Sequence, residues 1–182
     1  MIPVLLVTHG RLAQELLAAA ETIAGVRPEL HALSLEWNEG IDAARQRIAQ
    51  AIAAVDQGLG VLVLTDMYGS TPSNAAIALS VPGRIEVVTG VNLPMVVRMS
   101  CSSILPGSVV ETARWLEEKG KRSITRGSAP EPVGGAAPAP VALSPCVPGP
   151  PVTAAPALPS ATRAATTGTS TSDAGEKRTV RD

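Results

Sequence analysis

Apolar residues fall into two kinds of segment along this chain: short unbroken runs that stop at a polar residue, and longer stretches where they recur every three or four positions. The first run is Val4 to Val7, which ends in Thr8, His9 and Gly10. A continuous apolar run bounded by turn residues predicts a strand buried on both faces. The helical recurrence of Leu12, Leu16, Leu17, Ala20 and Ile23 follows at once, with Gly25 placed to end it. Strand, tight turn and helix open a parallel α/β unit, and such sheets bind ligands beyond the carboxyl ends of their strands. His9 is delivered to that edge.

The next segments repeat the theme with variations. His31 to Trp37 alternates, with Leu33, Leu35 and Trp37 on one side, which predicts a half-exposed edge strand. Asn38 is placed to cap a helix whose face is Ile41, Ala44, Ile48, Ile52 and Val55. Gly60 to Thr65 is a second fully apolar strand, stopping at Asp66. Met67 to Ser70 forms a turn, and Thr71-Pro72 has the form of a helix start, with Thr71 as cap. That helix is expected to reach about Leu79. Ile85 to Val88 predicts a fourth strand, Asn92 to Met99 a helix around Pro94, and Ser108 with Glu111 a capping box for a last helix ending at Gly120. Lys121 to Thr125 reads as a short charged edge strand.

Strands alternating with helices imply a doubly wound, mostly parallel sheet with helices on both faces; the C-terminal segment would add an antiparallel edge strand. The alternating strand belongs at an edge and the fully apolar ones at the centre. The first and third strands then lie side by side where the winding reverses, which brings His9 and Asp66 to one crevice.

Composition divides the chain. Of its 182 residues, 1–127 carry the periodic patterns, whereas 128–182 are dominated by Ala, Pro, Ser, Thr and Gly and have no pattern able to bury a core. The second part is expected to be a disordered tail. A formal net charge of −1, with no Lys/Arg cluster on one face, gives no electrostatic case for nucleic acid. No stretch approaches the roughly 20 apolar residues of a membrane span. Cys101 and Cys146 have neither metal-ligand nor disulfide-framework spacing, so both read as free thiols in a cytosolic protein.

The candidate chemistry lies at the predicted crevice. A neutral imidazole nitrogen is a nucleophile, and a carboxylate bonded to the other ring N–H fixes the tautomer and favours the positive charge that attack creates. His9 and Asp66 supply that pair. A helix start at Thr71 to Asn74 offers unpaired N–H groups to an anion, with the Thr71 hydroxyl beside them. Each residue alone has a plainer reading: His9 as a structural hydrogen-bonding residue, Asp66 as a turn cap, Thr71-Pro72 as a generic helix start. Together they describe a histidine able to accept and hold a phosphoryl group, with no metal or organic cofactor.

Three ordered motifs sharpen this reading: Thr8-His9-Gly10 after an apolar strand, Asp66-Met67-Tyr68-Gly69-Ser70-Thr71-Pro72-Ser73-Asn74-Ala75-Ala76, and Gly90-Val91-Asn92-Leu93-Pro94-Met95. They resemble the IIA component of the mannose class of the phosphoenolpyruvate-dependent sugar phosphotransferase system, from about Met1 to Thr125. The resemblance implies that His9 is phosphorylated by phospho-HPr and passes the group to a IIB partner, and that Asp66 bonds the imidazole. It puts Thr71 where the family has a Ser or Thr facing the phosphoryl group, with Ser73, Asn74 and Gly10 in the same phosphoryl-binding set. It also implies a cytoplasmic homodimer exchanging a C-terminal strand, at the position of Lys121 to Thr125. Met99 to Gly107 does not match the family. The Ala/Pro tail is similar to the linker that joins IIA to IIB in some members, so the acceptor would be a separate chain or the output regulatory. The phosphotransfer subunit of a dihydroxyacetone kinase is the alternative of similar chemistry; a non-transport regulatory interaction module is the alternative of another class.

Overall fold

The computed structural model describes residues 1–101 and 107–127. In chain order the elements are β1 (Val4–His9), α1 (Leu12–Ala24), β2 (Leu30–Leu35), α2 (Ile41–Val55), β3 (Val61–Thr65), α3 (Thr71–Ile77), β4 (Ile85–Thr89), α4 (Leu93–Cys101) and α5 (Val109–Arg122). The strands form one sheet in the order β2-β1-β3-β4, and every pairing is parallel. β1 and β3 are neighbours, with Val4 opposite Leu62 and Val7 opposite Thr65, as the apolar runs predicted. β2 is an edge strand, as its alternation predicted.

Side-chain alternation along β1 divides the interior into two cores. Val4 and Leu6 face one way, with Leu62, Leu64, α1, α4 and α5; Leu5 and Val7 face the other, with Val61, Val63, α2 and α3. Chain winding accounts for that division. The path from β1 to β2 moves outward in one direction and the path from β2 through β3 to β4 moves in the opposite one, so crossovers of one hand place α1 on the opposite face from α2 and α3. The reversal lies between β1 and β3.

The structure corrects several local expectations. No strand forms over Lys121 to Thr125: α5 continues through Arg122, so the antiparallel C-terminal edge is absent among the described residues. Lys121 pairs with Glu117 at 2.6 Å and Arg122 with Glu118 at 2.6 Å, each four residues on. Such pairs support one more helical turn, and the basic residues suit the negative end of the helix dipole. Ser123 then ends the helix. In α1 the buried stripe runs through Ala13, Ala20 and Ala24, with Leu16 and Leu17 partly covered, while Leu12 and Ile23 are exposed. Leu12 and Ile23 are about three turns apart and share one flank of that stripe.

Helix starts also differ. Gly40, not Asn38, precedes α2, and Ser70, not Thr71, precedes α3, which ends at Ile77. The capping box on α5 forms as expected, with Ser108 and Glu111 exchanging hydrogen bonds. Cys101 is disulfide-bonded, contrary to the expected thiol, so thiols no longer argue for a reducing compartment. Its place at the end of α4 is set by the fold, which sequence spacing does not report. Cys146, the whole expected tail from 128 to 182 and the middle of the unmatched Met99 to Gly107 stretch lie outside the described residues.

Candidate functional site

The site is built where β1 outruns its neighbour. β1 and β3 pair as far as Val7 opposite Thr65, so His9 projects past the last paired residue toward Asp66, the residue following β3. One carboxylate oxygen of Asp66 accepts both the backbone N–H of His9, at 2.9 Å, and a bond from the imidazole Nδ1, at 2.7 Å. Its other oxygen accepts the N–H of Met67 at 2.9 Å. An ionised carboxylate can only accept, which assigns a ring proton to Nδ1; in the neutral imidazole the lone pair is then on Nε2. The two side chains are only 14% and 13% exposed, so this bond is largely shielded from water.

The backbone around His9 is held from both sides. Thr8, fully buried, accepts the N–H of Ala13 at 2.7 Å through its hydroxyl and so satisfies a donor in the first turn of α1. Gly10 donates its N–H to Leu35 O at 2.8 Å and turns the chain with φ +52°, where a side chain is strained. A Cβ at Gly10 would also lie 3.2 Å from Nε1 of Trp37. That indole stacks on the imidazole, with ring centroids 4.9 Å apart and planes 15° from parallel.

The remaining residues expected at the site hold different positions. Ser73 is fully buried and its hydroxyl accepts the Gly69 N–H at 2.9 Å. Asn74 donates from its amide to Gly69 O at 3.0 Å. Ser70 donates to Met67 O at 2.7 Å. These bonds lock the turn from Met67 to Ser70; they engage Ser73 as an acceptor and one amide N–H of Asn74, while Leu35 takes up the Gly10 N–H. Thr71 is the first residue of α3 and is partly exposed; its hydroxyl makes no hydrogen bond among the described residues. Met67 and Tyr68 project into solvent beside the crevice, and Arg11 does so at the start of α1, paired with Glu15 at 3.2 Å.

Sequence pattern did not bring Trp37 to this site. It placed Trp37 on one side of an edge strand, whereas β2 stops at Leu35 and the chain bends over His9. The bend is pinned by Glu39, whose carboxylate accepts the Glu36 N–H at 3.1 Å and pairs with Arg47 at 2.5 Å, while Arg47 also donates to Ser34 O at 2.8 Å. The acid at 39 and the base at 47, two turns into α2, are the signal that this loop is anchored.

The family model described as PTS system fructose IIA component, the mannose-type EIIA, matches residues 3–111. The chain belongs to the mannose-class IIA family of the sugar phosphotransferase system. It is 32% identical over 145 residues to the mannose-specific EIIAB component of Escherichia coli K12, an alignment covering 79% of this chain and 45% of that protein. It thus spans about half the length of that relative. With the fructose-specific EIIA component of Bacillus subtilis it shares 31% identity over 100 residues, covering 54% of this chain and 68% of the relative. The mannose/sorbose-specific IIA subunit from Enterococcus faecalis superimposes with a TM-score of 0.64 and 30% identity, covering 72% of this chain and 98% of that structure. Mannose-class IIA membership and the parallel sheet described above agree with the three sequence motifs.

Proposed function

We propose that this IIA protein is a phosphohistidine carrier in which His9 accepts a phosphoryl group from phospho-HPr through Nε2. The observation that carries the reading is the Asp66 bond to Nδ1, which selects the tautomer of the neutral ring whose Nε2 lone pair can attack. In the transfer, the Nε2 lone pair forms the new N–P bond while the donor's P–N bond breaks and its electron pair returns to the donor imidazole. The Nδ1 proton stays between His9 and Asp66. The ring gains positive charge, which the Asp66 carboxylate offsets. Thr71, with its uncommitted hydroxyl, is the side chain we assign to the bound phosphoryl group; Ser73, Asn74 and Gly10 serve it by fixing the turns on either side.

The acceptor is a IIB component on another chain or a regulatory protein, and the setting is the cytoplasm, where the donor proteins of this system reside. Exposed Met67, Tyr68 and Arg11 form the rim on which such partners dock. A homodimer is part of the proposal: β4 is the second sheet edge, and Ile124 stands exposed at a groove beside it lined by Val88, Asn92, Met95 and Gly120. Residues 1–127 are taken as the carrier unit.

The deciding test is phosphorylation by phosphoenolpyruvate with enzyme I and HPr, omitting each in turn. Acid-labile label should require HPr and be absent from His9→Ala, which should remain folded because His9 lies at a strand end outside both cores. Label retained by His9→Ala would defeat the assignment.

A further inference from the structure

We infer that Trp37 is a positioning residue for the phosphoacceptor: its indole face stabilises the cationic ring that His9 becomes on phosphorylation, and so shifts the phosphoryl equilibrium toward this protein. The inference rests on His9 being the acceptor. Its own ground is geometric. The rings stack at 4.9 Å and 15°, within the roughly 6 Å reach over which an aromatic face attracts a cation. Trp37 is 80% exposed, belongs to neither core, and yet is held in place. The loop carrying it is fixed by Glu39 and Arg47, and Gly10 leaves room for the indole edge where any Cβ would crowd it.

The charge balance identifies the state that benefits. The form of His9 that can attack holds one ring proton, on Nδ1, because Nε2 needs its lone pair for the new bond. After the N–P bond forms at Nε2 with that proton retained, the ring carries positive charge, and the donor ring, having recovered its electron pair, is neutral. An indole over His9 therefore attracts the product ring more strongly than the reactant ring. Asp66 acts in the plane of the imidazole, whereas Trp37 acts on its face, and the two contributions are separate.

The experiment measures the final ratio of phosphorylated to free protein, in mixtures of known composition with cognate HPr and phospho-HPr, for the parent, Trp37→Phe and Trp37→Leu. Leucine keeps an apolar cover without a π face; phenylalanine keeps a weaker one. The ratio for Trp37→Leu should fall about two- to fivefold, the change that an exposed cation–π contact supports, and Trp37→Phe should lie between it and the parent. Circular dichroism and the emission of Trp115 check that each variant is folded. If Trp37 served only to dock HPr, forward and reverse rates would fall together and the final ratio would stay at the parental value; that result overturns the inference. An equal fall for Phe and Leu would overturn it too, since packing rather than the π face would then matter. Absence of label in the parent would instead sink the carrier reading itself, and this inference with it.

Discussion

His9 and Asp66 were legible as single residues because each ends a buried apolar strand, and a polar residue there has an unusual setting that survives in one dimension. Their bond follows from strand order, and it makes a definite demand on kinetics. Asp66→Ala removes the acceptor of the Nδ1 proton, so both tautomer and ring orientation are lost while the nucleophile remains. The proposed phosphorylation of His9 should slow by roughly ten- to hundredfold, as expected for loss of a charge-assisted hydrogen bond; rapid-quench kinetics with phospho-HPr would measure it, and a parental rate would count against the pairing. A second titratable residue lies away from the site. His31 on β2 is half-buried, and desolvation lowers its pKa from 6.5, with Glu29 opposing. The unfolded chain therefore binds this proton at a higher pH than the folded one, so His31 costs stability as pH falls through 6.5 toward its folded value, and no further below it. Urea midpoints at about pH 7.5 and about pH 5 should differ less in His31→Gln than in the parent. An unchanged difference would exclude His31 as an acid-sensitive group.

Elements were legible where periodicity and punctuation agree. β1 and β3 are unbroken runs and α5 begins at a capping box, and each formed where its pattern placed it; β2 alternates and formed as an edge strand, though it stops at Leu35, two residues short of Trp37. Errors concentrated at ends and faces. Lys121 and Arg122 have the charge of a protected strand edge, but Glu117 and Glu118 sit four residues earlier, and that spacing rewards helix. The start of β3 carries a constraint that pattern does not express. Gly60 has φ +84°, and a Cβ there would lie 2.6 Å from the backbone oxygen of Arg84, which accepts the N–H of Val61 at 2.8 Å. Gly60→Ala must therefore push the starts of β3 and β4 apart as well as strain the backbone. A loss of about 3 kcal/mol is expected, combining left-handed strain with overpacking, and denaturant titration would measure it. A loss below about 1 kcal/mol would mean that this end of the sheet relaxes freely.

At the scale of the whole molecule, the proposed carrier unit of residues 1–127 should stand without the Ala/Pro-rich remainder. The truncated chain should melt cooperatively and accept label at the parental rate. A broad melt or lost acceptance would place residues beyond 127 in the folded unit. The order and kind of most elements, the winding class, and the two polar stops at His9 and Asp66 can be read directly along the chain. Those features are written in periods of two and 3.6 residues and in caps, which act between near neighbours along the chain. The meeting of His9 and Asp66 across 57 residues was implied by strand order, whereas other contacts were decided by the tertiary structure. It turned the alanine side of α1 inward, committed Ser73 and Asn74 to the turn at Gly69, and laid Trp37 over the imidazole. Such contacts depend on how loops bend and how closely elements pack, and a local period carries no record of either.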